Sequence, residues 1–220
     1  MRAEIARRQM EGGWSHPVTI VAVTKGFGPD AVEAALAAGL ADVGENRVQE
    51  ARAKQEALRG RSGIRWHLIG HLQRNKAKLV PGRFALVHSV DSLDLAEELH
   101  RRAGDEIRVL LQVNVAREPQ KEGCAPEEAP ALARAVARLA RLRLEGLMTL
   151  APFTDDADVQ RRTFRGLRVL RDGIKKEEGL WLPTLSMGMS GDYATAVAEG
   201  ATVIRLGTVL FGPREKEATP

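Results

Sequence analysis

Eight short runs rich in β-branched and aliphatic residues alternate with helical patterns along this chain, and that alternation leaves 220 residues few ways to fold. The runs are VTIVAVT at 18–24, ADVG at 41–44, RWHLIG at 65–70, FALVHSV at 84–90, IRVLLQVNV at 107–115, LRLEGLM at 142–148, PTLSMG at 183–188 and TVIRLG at 202–207. Between them lie helical stretches at 30–39, 47–58, 72–80, 92–104, 126–142, 159–178 and 192–200, and a polar amphipathic segment precedes the first run. Ser92 is expected to cap the fourth of these helices and Gly104 to stop it. Consecutive βα units of this kind build a parallel sheet buried on both faces. Eight of them close most economically as a (β/α)8 TIM barrel, an α/β fold, with an open doubly wound sheet as the alternative. No Pro-, Gly- or Ser-rich linker divides the chain, so residues 1–220 are expected to form a single barrel domain.

A barrel of this type carries its chemistry at the C-terminal ends of the strands and in the loops that follow. Lys25 directly follows the first strand, where its stem would lie in the mouth and its amine would be partly desolvated. Desolvation favours the neutral amine, the form that condenses with an aldehyde. The plainer reading is a lysine whose methylenes cover the strand end while the ammonium stays in water. Beyond the seventh strand stands SMGMSGD at 186–192, and beyond the eighth stand Gly207 and Thr208. Small residues and hydroxyls in these two loops leave backbone N–H groups free to hold an anion. Each loop alone is better explained by Ser190 capping a helix and Gly207 allowing a turn. Both loops facing one lysine across a mouth point instead to a ligand with an aldehyde and a phosphate, and pyridoxal 5'-phosphate is the common cofactor with both. Period-two alternation directs Arg205 into the barrel, either toward the pyridine nitrogen, which it would keep unprotonated, or toward the phosphate.

With these residues in view, the chain resembles the YggS/PROSC (PLPBP) family of pyridoxal phosphate homeostasis proteins. The resemblance is carried by VAVTKG at 21–26, VGENRVQE at 43–50, WHLIGHLQRNK at 66–76, GLMTLAP at 146–152, SMGMSGD at 186–192 and VIRLGTVLFG at 203–212, which span almost the whole chain. It implies a barrel of the alanine-racemase N-terminal-domain type (fold type III) that holds pyridoxal 5'-phosphate as an internal aldimine on Lys25. It further implies that Arg205 meets the pyridine nitrogen, that Ser190, Gly191, Gly207 and Thr208 hold the phosphate, and that Asn46 lies beside the ring. His67 and the MTLAP loop would help wall the pocket without being ligands. Members look like carriers or regulators of the cofactor, with PLP-dependent apoenzymes as candidate recipients. Racemases of this barrel type carry an added β domain and a tyrosine base from a partner subunit, whereas this chain has one tyrosine, Tyr193. The enzyme alternative is therefore a racemase-like activity on the same cofactor, and a monomer is expected.

Charge and composition bear on the remaining classes. A net charge of +4 would permit attraction to nucleic acid, but aromatic residues make up only 4% and offer few stacking platforms. Arg161, Arg165, Arg168 and Arg171 fall at helical spacing and are expected to form one solvated face, so no nucleic-acid partner is expected. No run approaches the roughly 18 to 20 apolar residues of a membrane span, and the start lacks a signal-peptide core, so the expectation is a cytoplasmic protein without a membrane partner. Cys124 is the only cysteine and is read as a packing residue. His67 and His71 have an i, i+4 spacing, but Gly70 and the strand before it argue against a helix carrying both, so no metal is expected.

Overall fold

The structure, a computed structural model, describes residues 1–213. The expected single domain over 1–220 thus extends seven positions beyond the described residues. Eight strands, Thr19–Val23 (β1), Asp42–Glu45 (β2), Arg65–Leu68 (β3), Leu86–Val90 (β4), Ile107–Gln112 (β5), Leu142–Met148 (β6), Thr184–Ser186 (β7) and Val203–Leu206 (β8), pair in parallel in chain order and close β8 onto β1. The open-sheet alternative is excluded by that closure. Around the barrel run helices Arg2–Gly12 (α1), Pro29–Ala37 (α2), Val48–Ala57 (α3), Leu93–Arg102 (α4), Ala129–Ala137 (α5), Ala157–Glu178 (α6), Tyr193–Ala198 (α7) and Thr208–Phe211 (α8).

Local chemistry explains where the boundaries move. The stretch at 72–80 forms a 3-10 helix over Arg74–Leu79 instead of an α-helix, with i to i+3 bonds from the Lys76 N–H to the Gln73 carbonyl and from the Val80 N–H to the Ala77 carbonyl. Helix α5 begins at Ala129, with Pro130 in its first turn, where the missing N–H costs nothing. In place of the expected start at Pro126, residues 126–128 form a turn closed by the Glu128 N–H on the Ala125 carbonyl, just after Cys124 pairs with Val113 in an extended bridge. Ser92 occupies the N-cap of α4 but makes no side-chain capping bond. On α6 the Asp156 carboxylate accepts from the N–H groups of Asp158 and Val159, at 2.8 and 3.2 Å. Strand β7 ends at Ser186, and Gly188 then takes φ +94°, where a Cβ would stand 2.6 Å from that of Ala196.

The main apolar core lies between the sheet and its helices, with Leu68, Val87, Leu99, Phe164, Leu167 and Leu185 among its buried members. Inside the barrel a smaller cluster of Leu86, Leu110 and Met148 forms. Burying each of these side chains contributes roughly 1.5–3 kcal/mol. The basic stripe on α6 is not a free solvated face. Arg165 and Arg168 pair with the buried Glu199 at 3.0 and 3.1 Å, Arg168 also lies over the Trp14 ring, and Arg171 pairs with Asp172. Arg165 and Arg168 fasten α6 to the end of α7, and Arg168 also to the segment after α1. Among the described residues no helix is long and apolar enough to cross a membrane.

Candidate functional site

The register of the barrel sets which side chains meet at its mouth. Strand β1 pairs with β8, placing Val21 opposite Arg205 and Ala22 opposite Leu206, and pairs with β2 through Val23 and Gly44. Lys25, Asn46, Gly207 and Thr208 therefore leave three adjacent strands at the same, C-terminal end. The loop after β7, with Ser190 and Gly191, joins them there.

Lys25 is half-buried in a tight turn that is anchored on both sides. Before it, the Thr24 carbonyl accepts from Lys54 Nζ at 2.6 Å, and Thr24 Oγ1 donates to Glu45 at 2.5 Å. After it, the Gly26 N–H donates to Glu50 at 2.6 Å. Lys54 Nζ, itself buried, also donates to Glu45 at 2.7 Å and to Glu50 at 3.2 Å. Burial pushes the Glu45 carboxyl up, against the pull of Lys54 and Thr24. An ion pair under the mouth thus holds the backbone that presents Lys25.

Ser190 does not cap α7, whose N-cap is Asp192. Its Oγ instead accepts from the N–H groups of Gly207 and Val209, at 3.2 and 3.3 Å. The two loops expected to hold an anion are joined at this oxygen, and the N–H groups of the β8 loop converge on an oxygen acceptor. Gly191 is exposed and has open space around it. The Asp192 carboxylate, pushed up by burial, accepts from Met189 N–H at 2.5 Å and faces the positive charge of Arg205.

Arg205 is 3% exposed and points inward, as its alternation predicts. Nη1 donates to Ser186 Oγ at 2.6 Å and Nη2 to the Thr149 carbonyl at 2.9 Å. Burial lowers its pKa to about 10, so it remains a cation at neutral pH. His88 Nδ1 reaches the same Ser186 oxygen at 2.8 Å. Strands β4 and β7 are not neighbours in the sheet, so this bond crosses the barrel interior.

His67 sits below the mouth: its Nε2 is 2.9 Å from Asp42, which opens β2. His71 lies elsewhere, on the exposed rim, 3.6 Å from Asp91 and 3.8 Å from Glu122, so the two histidines share no ligand position. Burial alone would raise the Asp42 carboxyl, but bonds from His67 and Arg65 outweigh it and hold it down to about 2. A carboxyl depressed on folding adds stability above its unfolded value, near 4, and loses it as pH falls through about 2. Acid unfolding followed by circular dichroism should therefore show the advantage of wild type over Asp42→Asn disappearing across that interval. Cys124 is buried, with its thiol pushed up to about 12 by burial, in keeping with a packing role.

Asp42 and Lys54 were not singled out by sequence reasoning. Lys54 shares the buried face of α3 with Val48 and Ala51 at intervals of three, the one signal that could have found it. Beside Asn46 a cleft of about 340 Å³ opens between the loops after β2 and β3, lined by Arg47, His71, Gln73 and Lys76. Lys25 is not among its lining residues.

A primary amine on a pinned turn, N–H groups converging on an acceptor oxygen and an inward cation below them fit a ligand with an aldehyde, an anionic tail and a basic ring nitrogen. The comparisons point the same way. Residues 4–215 match the family model described as alanine racemase, N-terminal domain. A pyridoxal phosphate homeostasis protein from Pseudomonas aeruginosa is 47% identical over 201 residues, covering 90% of this chain and 85% of that protein. The structure of PipY from Synechococcus elongatus with PLP bound superposes with a TM-score of 0.84 at 39% identity, covering 94% of this chain and all of that one. Alanine racemase from Corynebacterium glutamicum shares the fold, with a TM-score of 0.74 at 16% identity, over 99% of this chain and 63% of that enzyme.

Proposed function

The chain belongs to the pyridoxal phosphate homeostasis protein family, built on the alanine racemase N-terminal domain, and on that premise we propose that it binds pyridoxal 5'-phosphate and takes part in its homeostasis. The observation that carries this reading is the Lys25 turn, anchored through Thr24 and Gly26 at the end of β1, beside β8 and its loop joined to Ser190. When bound, the cofactor supplies an aldehyde that condenses with the Lys25 amine. Lys25 is the attachment point, and the Lys54–Glu45 pair keeps its backbone from moving. Ser190, Gly191, Gly207 and Thr208 take the phosphate through hydroxyls and loop N–H groups. Arg205 presents its remaining N–H donors to the ring nitrogen; a guanidinium does not give up its proton at neutral pH, so that nitrogen is left unprotonated and the ring is a weak electron sink. Asn46 borders the ring from the β2 side.

Inverting the configuration at an amino acid's Cα needs acid and base groups on both faces of the ring, and Tyr193, at the start of α7, is the only tyrosine. The protein is proposed to act in the cytoplasm as a monomeric single-domain carrier that hands the cofactor to apoenzymes, without turnover of its own. Titration with pyridoxal 5'-phosphate should give one saturable site. Incubating the loaded protein with L-alanine in deuterium oxide should leave Cα unexchanged by NMR. Rapid exchange would replace the carrier reading with the racemase one.

A further inference from the structure

Below the mouth, a line of buried side chains runs to the opposite end of the barrel, and attachment at Lys25 makes no use of it. From Arg205 it passes to Ser186 Oγ at 2.6 Å, on to His88 Nδ1 at 2.8 Å, from His88 Nε2 to His67 Nδ1 at 2.9 Å, and from His67 Nε2 to Asp42 at 2.9 Å. Arg65 then grips Asp42 through two bonds, of 2.7 and 2.5 Å. Every member from Arg205 to Asp42 is buried, and Ser186 and His88 are fully so. The far end opens on a cleft of about 210 Å³ at the barrel floor, lined by Asp42, Arg65 and His67 together with the Arg108–Glu145 pair.

The two ends leave one arrangement of protons. Arg205 has only donors, so Ser186 Oγ accepts from it. Asp42 is an ionised acceptor, so His67 donates through Nε2. Besides Arg205, which only donates, the partner of the buried Ser186 hydroxyl among the described residues is His88 Nδ1, so its hydrogen goes there and the line of bonds leaves each ring one hydrogen, on Nε2. A neutral His67 with its hydrogen on Nε2 accepts at Nδ1, so His88 donates from Nε2. His88 in turn accepts at Nδ1, and only the Ser186 hydroxyl can donate there. The hydroxyl is committed downward, and its lone pairs are left for Arg205.

We propose that His88 and His67 are positioning residues for Arg205: with Ser186 they form a one-way hydrogen-bond relay that fixes the guanidinium at the floor of the cofactor mouth and anchors it on the Asp42–Arg65 pair at the far end of the barrel. Arg205 then faces its ligand with two acceptors, Ser186 Oγ and the Thr149 carbonyl, that cannot rotate away. What Arg205 does for the ring nitrogen rests on the binding reading above, whereas the direction of the relay does not.

Two measurements separate those claims. In cofactor-free protein labelled with nitrogen-15, long-range proton–nitrogen spectra at neutral pH should show His67 and His88 both neutral and both carrying hydrogen on Nε2. A hydrogen on Nδ1 of either ring, or a cationic ring, overturns the relay. This experiment needs no variant and no ligand. Pyridoxal 5'-phosphate titrations of Ser186→Ala and Asp42→Asn should then give a Kd about 2- to 30-fold weaker than wild type, with Ser186→Thr, which keeps the hydroxyl, close to wild type. Unchanged affinity in both broken variants overturns the positioning role. A wild type that does not bind the cofactor at all refutes the binding reading and leaves the imidazole spectra to decide the relay.

Discussion

Lys54→Met is expected to cost about 3–5 kcal/mol of stability at neutral pH, the range for removing one partner of a buried ion pair. Urea unfolding is the direct measure. Lys54 is 5% exposed and Glu45 is fully buried, with one Glu45 oxygen already lacking a hydrogen-bond partner. Without the ammonium, the other oxygen keeps only the Thr24 hydroxyl, and Glu45 folds protonated instead of ionised. A carboxyl whose folded pKa is raised stabilises the fold below its unfolded value and loses that contribution as pH rises. The penalty of Lys54→Met should therefore shrink toward pH 5. Adding Glu45→Gln should recover much of the loss at pH 7, because the charge that needed a partner is gone. A full penalty that persists in the double variant and at low pH would mean that Lys54 stabilises through packing alone. The variant should also bind the cofactor more weakly, since the Thr24 carbonyl loses the donor that pins it.

Lys25→Ala is expected to bind pyridoxal 5'-phosphate on the order of 100-fold more weakly, equivalent to about 3 kcal/mol, and to lose the visible absorption band of the covalently attached cofactor. The loops proposed to take the phosphate and Arg205 survive the substitution, so residual noncovalent binding should persist. Lys25→Arg separates charge from chemistry: a guanidinium keeps the positive charge but stays protonated and does not condense with an aldehyde. Both variants should lack the band, and equilibrium dialysis with absorption spectra reads both effects.

How far this architecture is legible in the sequence depends on the range of the interaction involved. The eight strands follow from local periodicity, and β6 is read to the residue because LRLEGLM carries its own pattern. Arg205 is also legible, since period two in VIRLG decides which way it points. The helix at 72–80 is misread as α because over six residues the apolar spacing does not distinguish i to i+3 from i to i+4 bonding. Ser190 looks like a helix cap because the chain around it reads as a strand-to-helix turn. Its actual partners, Gly207 and Val209, are brought near only when β7 and β8 pair. The α6 arginines look solvated because Glu199, which they surround, lies some thirty residues away at the far end of α7. The relay is the least legible feature. His88 and Ser186 stand on strands that never pair, and only closure of the barrel sets them 2.8 Å apart.

Borohydride reduction of the protein saturated with pyridoxal 5'-phosphate, followed by peptide mass mapping, is the shortest route to the central claim. Reduction should leave one stable pyridoxyl group per chain, on the peptide that contains Lys25. A modification found mainly on another lysine, or none after reduction, would contradict the account.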